Sequence, residues 1–477
     1  MLIGIDLGTT KSTCIVIDDA SGQIVASAAT PTKGRHKTPD HPGRSEWDAQ
    51  AVVAGGIDCL KRISELLGDQ VSKLTAIGIT GQQHGTVIVD ADLHPLSPFI
   101  NWQDQRGNEL SAGGDVTWVD VARARLEDET VRRNGCQLHT GFLGTTVFWL
   151  AKNDQLPANG LACFIPELFG AWLTGTRPVT EPTCAGGAGV FDVVDRCWSD
   201  DSIAALDLNR SLFPDVVEAD TRLGELTNSI ANATGLPQGI PVYAAVGDHQ
   251  ASFVGSVADR HSTILLNVGT GAQVAVFTSK NDFAFPIELR PFPIAGNLLS
   301  NVGLPGGWQF QVFANFIQEI GEQLFDVRVE GPLYERLTGL AAAAAAGADG
   351  LICVPTFSGT RARPDQTGSL TGMTPQSLTL ANLSRSVLEG MVQEFRKAWQ
   401  QIAEVIGNED RSSLVGAGNG LRENALLSQI VADDFGISPR VTAHREEAAF
   451  GAALIAGVGT GRFADLDEAG SLIRYEG

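Results

Sequence analysis

Two short segments of this 477-residue chain carry residue types suited to holding an anion. The first is Gly4-Ile5-Asp6-Leu7-Gly8-Thr9-Thr10-Lys11, set between apolar runs that read as two strands of a hairpin with a permissive glycine near its tip. The second is Asn267-Val268-Gly269-Thr270-Gly271, again followed by an apolar strand over 272–277. Two such tips facing each other offer backbone N–H groups and threonine hydroxyls to a polyphosphate from both sides. Asp6 adds a carboxylate able to hold Mg²⁺ through water, and the neutral Asn267 avoids a second negative charge beside phosphate. Either segment alone is an ordinary hairpin, and the repetition is the signal.

Four other groupings have chemical potential. Asp248 closes the strand predicted over 241–246 and precedes a helix through Ala251, Val254 and Val257. It is the carboxylate to single out, and aspartate is also a favoured N-cap, a role compatible with function because a capped carboxylate is held in place. Gln82, Gln83 and His84 stand between two glycines at the end of the strand 74–80. There they can bind hydroxyls or merely turn into the strand 86–90. Trp102 and Asp104 put a ring beside a carboxylate, which suits the apolar face and polar rim of a sugar, or a half-buried Trp next to a surface Asp104–Arg106 pair. Gly416-Ala417-Gly418-Asn419 follows the strand 413–415, and its bare backbone would let a nucleoside ring approach.

The elements needed to position these groups follow from periodicity. A third strand is expected over 23–32, a loop over 33–48, and a helix over 49–67 with apolar residues at Val52, Val53, Ile57, Leu60, Ile63, Leu66 and Leu67. Leu236-Pro237-Gln238-Gly239 reads as a domain junction, giving domains 1–239 and 240–477. The alanine run 341–346 is expected as a core helix. Ser384 is expected to cap the long helix carrying Leu388, Met391, Val392, Phe395, Trp399, Ile402 and Ile406.

Composition narrows the partners. A formal charge of −21 argues against nucleic acid and anionic membrane, so a bound phosphate needs a metal ion and local donors. The seven cysteines are scattered, without a C-x-x-C pair, as expected of reduced, mostly buried thiols in a cytoplasmic protein. No signal-like or membrane-length apolar segment is evident. Asp434-Phe435-Gly436 matches a protein-kinase triplet without its companion motifs, the Gly416 segment lacks the third glycine of G-x-G-x-x-G, and no G-K-[ST] exists.

In order along the whole chain, Gly4–Thr10, Gly247-Asp248, Asn267–Gly271 and Gly416–Asn419 resemble the carbohydrate kinases of the FGGY family. The resemblance implies an α/β protein of two ribonuclease H-like (actin- or hexokinase-type) domains, with mixed five-stranded sheets around a central cleft that holds ATP and a sugar. It assigns Asp248 as the catalytic base, Asp6 and Asp248 to the metal, and Gln82, Gln83, His84, Trp102, Asp104 and Asp248 to the sugar. Thr9, Thr10, Lys11, Gly269, Thr270, Gly271, Gly416, Ala417, Gly418 and Asn419 fall to ATP. Within the family, Gly81–Gly85 is similar to the Gly-Gln-Met-His-Gly of ketose kinases such as xylulokinase, with Gln83 in place of Met. Trp102–Arg106, Thr140-Gly141-Phe142 and Gly247–Ser252 are similar to sedoheptulokinase. Thr360 stands where relatives usually carry Glu. The partners implied are a small sugar and ATP, with a homodimer open as an assembly. Chaperone and actin-like ATPases share a similar first hairpin, but they lack the Gln82, His84 and Asp104 grouping.

Overall fold

Nearly unbroken apolar runs mark strands covered on both faces, and the fold is built on two sheets of them. The computed structural model describes residues 1–361, 363, 365–407 and 411–476. In the first sheet β1 (Leu2–Leu7) pairs antiparallel with β2 (Lys11–Ile17), and β2 with β3 (Ile24–Pro31). On the other side of β1 lies β4 (Ala76–Gly81) in parallel. The sheet is completed by β5 (Arg222–Glu225), β6 (Pro241–Tyr243) and β7 (Val246–Gly247), the last two parallel to β4.

The second sheet repeats the plan. Here β8 (Thr263–Val268) is antiparallel to β9 (Gly271–Thr278), followed by β10 (Glu288–Pro291) and β11 (Asn297–Pro305), with β11 lying between β9 and β10. The parallel strands β12 (Ser413–Ala417) and β13 (Arg440–Val441) lie on the far side of β8. Three antiparallel strands followed by two parallel ones is the ribonuclease H-like order, present twice. The sheets hold seven and six strands instead of five, because β5 and β7 extend the first and β10 the second.

Four helices fix the relation of the sheets to the cleft. Helix α1 (Ala49–Leu67) starts where Asp48 accepts hydrogen bonds from the N–H groups of Gln50 and Ala51, and buries Val52, Val53, Leu60 and Ile63 against the first sheet. Helix α2 (Asp248–Ser256) follows β7 directly. Helix α3 (Leu380–Ile406) buries its predicted stripe in the second lobe. Helix α4 (Glu447–Gly459) lies across β1 and β4 and crosses α2. Small residues permit this approach: a Cβ at Gly4 would come within 1.8 Å of the Ala449 carbonyl oxygen, and one at Gly451 within 1.9 Å of the Ala251 carbonyl oxygen. A hydrophobic cluster including Leu2, Ile15, Leu265, Val415, Phe253 and Leu454 therefore runs from one sheet through α2 and α4 to the other.

Several expectations need correction. The junction expected at 239/240 lies within the first sheet, since β6 and β7 pair with β4 and the chain leaves that sheet only with α2. Segment 33–48 is not all loop, because Glu46–Trp47 forms a short strand against Phe99–Asn101. The alanine run is not a core helix: its helix is Leu333–Ala343, and of the run only Ala341 is buried. Ser384 does not cap α3. Thr379 does, accepting from the Asn382 N–H, while the Ser384 hydroxyl donates within the helix to Leu380. Six of the seven cysteines are buried, as expected, and Cys197 is exposed. No helix among the described residues is long and apolar enough to cross a membrane.

Candidate active site

Matched hairpins place matched residues at the ends of the central strands. Asp6 lies beside Thr13 and Thr80 in the first sheet, and Asn267 beside Gln273 and Ala417 in the second. Gly418, at φ 77°, brings its turn against the second hairpin, where a Cβ would meet the Val268 carbonyl oxygen at 2.6 Å. Gly416, Ala417, Gly418 and Asn419 thus flank Asn267, and Gly269, Thr270 and Gly271 form the exposed tip beside them. A further backbone surface is contributed by Gly307 and Trp308, whose N–H groups donate to Gly269 and Thr270.

Asp248 is the first residue of α2, with Gly247 in the N-cap position expected for the aspartate itself. It accepts hydrogen bonds from the His249 N–H at 2.9 Å and the Gln83 N–H, and burial still pushes its carboxyl up to about 6. Its approach is fixed from both sides: the Thr80 hydroxyl donates to Val246 at 2.9 Å, and the Gly247 N–H donates to the Thr183 hydroxyl at 2.8 Å. That hydroxyl spends its own proton on the buried Glu181 carboxylate, which leaves it an acceptor toward Gly247. Asp6 is pushed up to about 7, first by burial and then by the charges of Asp248 and Glu446, against the opposing pull of Lys11. One Asp6 oxygen is buried without a hydrogen-bond partner. Two neighbouring carboxyls, one of them with an unpartnered oxygen on Asp6, form a donor set that fits a hydrated divalent cation.

A cavity of about 540 Å³ joins the two lobes at this point. Gln83, His84, Trp102 and Asp248 line one side, and Asn267, Gly269, Thr270 and Gly271 the other. His84 stacks on Phe142 with ring centroids 4.2 Å apart, and its Nδ1 faces the Gly187 carbonyl at 2.8 Å. Burial, then Arg290 and Arg361, hold its pKa well below the usual histidine value, so the ring is neutral, Nδ1–H donates, and Nε2 remains an acceptor. Trp102 is 47 % exposed, and its indole N–H donates to the Thr9 hydroxyl at 2.8 Å, which ties the ring to the first hairpin. Thr10 and Lys11 complete that tip, and Lys11 forms a 2.5 Å ion pair with Glu446 just ahead of α4.

Two predicted sugar residues are not brought to the cavity. Gln82 is buried behind it, with its carbonyl oxygen facing Asn101. Asp104 is fully buried, not half of a surface pair: its oxygens accept from the Ser45 N–H and from Arg106, which also reaches Glu46 at 2.6 Å. Both carboxylate oxygens are engaged, so Asp104 braces the loop that carries Trp102.

Other lining residues escaped the sequence reading. Glu288 and Arg290 are i, i+2 on β10 and so share a face. Against burial, Arg290 and Arg361 hold Glu288 down to about 2, and Arg290 also donates to Gly186 at 2.5 Å. Two opposite charges alternating within an apolar strand were the available signal. His249 and Gln273 line the same wall. Burial first, then Arg290, keeps His249 neutral by lowering it to about 4, and its Nε2 is 3.0 Å from the Ser300 hydroxyl.

Twin ribonuclease H-like lobes with a carboxylate pair and a glycine-threonine tip at their junction define a phosphate-handling enzyme of the sugar-kinase architecture. Comparison with known proteins agrees. The chain matches the N-terminal domain of the FGGY family of carbohydrate kinases over residues 1–255 and its C-terminal domain over 266–460. It belongs to that family, and is thus a phosphotransferase acting on an alcohol group. Among curated relatives it is 29 % identical to glycerol kinase 2 of Streptomyces avermitilis, with 97 % of this chain and 89 % of the relative covered. It is 27 % identical to sedoheptulokinase of Mus musculus, with 95 % and 96 % covered. The crystal structure of xylulose kinase from Rhodospirillum rubrum superposes with a TM-score of 0.86 at 25 % identity, covering 100 % of this chain and 93 % of the other.

Proposed function

We propose that the chain transfers the γ-phosphoryl group of ATP to a terminal hydroxyl of a ketose in the cytoplasm. Sedoheptulose, giving sedoheptulose 7-phosphate, is the preferred acceptor, and D-xylulose, giving xylulose 5-phosphate, is the runner-up. The observation that carries this reading is Asp248 in one cavity wall with the hydroxyl-binding candidates Gln83, His84 and Trp102, opposite the Gly269–Gly271 tip. The sedoheptulose assignment is supported by the similarity of the Trp102–Arg106 and Gly247–Ser252 segments to sedoheptulokinase, and by that relative's cover of nearly the whole chain.

The chemistry follows from the side chains. Phosphoryl transfer has a loose transition state, so orientation and charge stabilisation do most of the work. The acceptor hydroxyl hydrogen-bonds to Asp248, its oxygen forms a bond to the γ-phosphorus as the bond to the β-bridging oxygen breaks, and its proton passes to the carboxylate. A carboxyl poised near 6 is ionised at neutral pH yet basic enough to take that proton. Asp6, with Asp248, would hold Mg²⁺, which when bound neutralises phosphate charge. The neutral His84 Nε2 accepts a sugar hydroxyl, and Trp102 covers an apolar sugar face. Thr9, Thr10, Lys11 and the Gly269–Gly271 and Gly416–Asn419 turns serve ATP.

The test is Mg²⁺-dependent ADP release across sedoheptulose, xylulose, ribulose, fructose, glycerol and erythritol. Highest kcat/KM with sedoheptulose is expected. Preference for xylulose or glycerol would move the substrate and leave the mechanism, whereas no stimulation by any of them would remove the sugar-kinase assignment for these acceptors.

A further inference from the structure

Beyond the Glu288–Arg361 pair lies a second cavity, of about 650 Å³, that the phosphoryl-transfer scheme leaves unused. It shares Glu288, Val302 and Arg361 with the catalytic cavity, so the two adjoin along these residues. Gly303, at φ 72°, lets the Arg361 loop lie on β11, where a Cβ would meet Arg361 Cβ at 2.7 Å. Arg123 and His139 enter the cavity from the first lobe, and Arg363 and Lys397 from the second.

The lining is rich in donors. Four cations, Arg123, Arg361, Arg363 and Lys397, face two carboxylates, Glu288 and Glu394. Both carboxylates are already engaged, Glu288 by Arg290 and Arg361, and Glu394 by Lys397 at 2.7 Å. His139 Nδ1 lies 3.1 Å from an Arg123 Nη2 and so acts as acceptor there, leaving Nε2–H to donate. The ring is neutral, its pKa lowered to about 3 by burial and then by Arg361. The Arg363 guanidinium has no hydrogen bond or ion pair among the described residues, and it is exposed. A surplus of positive charge inside a cleft, in a chain of net charge −21, concentrates the local field on whatever enters.

We propose that this cavity binds the phosphate or carboxylate group of a sugar-sized anion, with Arg363 and Lys397 as its principal ligands. The inference rests on the catalytic cavity being the acceptor site. The anion is either the far end of a phosphoryl acceptor whose reacting hydroxyl lies at Asp248, or a separate sugar phosphate bound beside a neutral acceptor.

Titration calorimetry with inorganic phosphate, on the enzyme saturated with Mg·ADP, tests the site directly against the double variant Arg363→Ser/Lys397→Gln. Neither residue belongs to the catalytic machinery. Phosphate affinity should fall about tenfold in the variant, as for loss of a charge-assisted contact, while turnover of the neutral ketose is unchanged. Glucose 6-phosphate then separates the two sources. ADP release with it as sole acceptor identifies the far end of a substrate, and a shifted KM for the neutral sugar without such release identifies a separate ligand; both support the cavity if the variant abolishes the effect. No phosphate binding to the wild type, or equal binding to the variant, overturns the inference. In that event the neutral-sugar assay still stands or falls by itself, so the two failures are distinguishable.

Discussion

Asp248 and Asp6 are two carboxyls whose burial is costly and whose chemistry depends on that cost. Replacing Asp248 with Asn keeps the shape and removes the proposed proton acceptor, so kcat should fall about a thousandfold with little change in sugar affinity. Near-normal kcat would contradict its role. In the wild type, the base form of Asp248 disappears as pH falls through about 6. An acid limb near that pH is therefore expected in kcat/KM, moving lower as Mg²⁺ concentration rises. Asp6 has a second, structural signature. Its value of about 7 in the folded chain exceeds the ordinary 3.8, so the native state holds the proton more tightly than the unfolded state does. Ionisation then costs stability progressively as pH rises from 3.8 to about 7. Asp6→Asn should accordingly stabilise the nucleotide-free protein by roughly 2–4 kcal/mol at pH 8, less at pH 5, while abolishing turnover. Thermal melts at both pH values check this, and a variant less stable than wild type at pH 8 would refute the shift.

At the level of elements, the start of α2 is held by contacts distant in sequence. Glu181 fixes the Thr183 hydroxyl, and Thr183 fixes the Gly247 N–H one residue before Asp248. Thr183→Val removes that acceptor and should lower kcat about tenfold through misplacement of Asp248, the proposed base, with KM for the sugar nearly unchanged. Thr183→Ser should restore the rate, and equal defects in both variants would reduce the contact to packing. The loop bearing Trp102 depends likewise on the buried Asp104–Arg106–Glu46 arrangement. Asp104→Ala leaves the Arg106 guanidinium buried beside Trp149, 5.0 Å from its ring, without its main counter-charge. Urea unfolding should show a loss of roughly 3–5 kcal/mol. A sugar-contact role would instead appear as a raised KM in a fully stable protein.

On the scale of the whole molecule, the lobes are joined by the crossing of α2 and α4. Gly255 and Gly451 make it possible, because a Cβ at either would meet a facing backbone oxygen at 1.9 Å. Since α2 begins with Asp248 and α4 begins beside the Lys11–Glu446 pair, that crossing also sets the distance between the two phosphate-type tips. Gly451→Val should destabilise the fold by about 2–3 kcal/mol through overpacking and lower kcat in the folded fraction. Calorimetry and single-turnover rates would separate these effects, and a stable variant with normal kcat would show that the crossing tolerates spreading.

Much of this was legible in the chain because it depends on local order. Strands β1, β2, β8 and β9 follow from apolar runs broken by Gly-Thr tips, α1 from its stripe and Asp48 cap, and Asp248 from its place between a strand and a helix. The misplaced helix cap at Ser384 and the alanine run both turned on which neighbours cover a segment, information that periodicity lacks. The same is true of the site. Asp104 and Trp102 are equally polar-looking neighbours in sequence, yet one is buried against Arg106 and the other lines the cavity. Glu288 and Arg290 on β10, His139 and Arg361 come from three separate segments and acquire meaning only when the lobes meet. Local patterning by itself determined the duplicated hairpins, the stripes of α1 and α3, and the place of Asp248 between a strand and a helix. The tertiary structure decided which charges are paired, which are buried, and which face one another, because burial and electrostatic coupling depend on distances that chain spacing does not set.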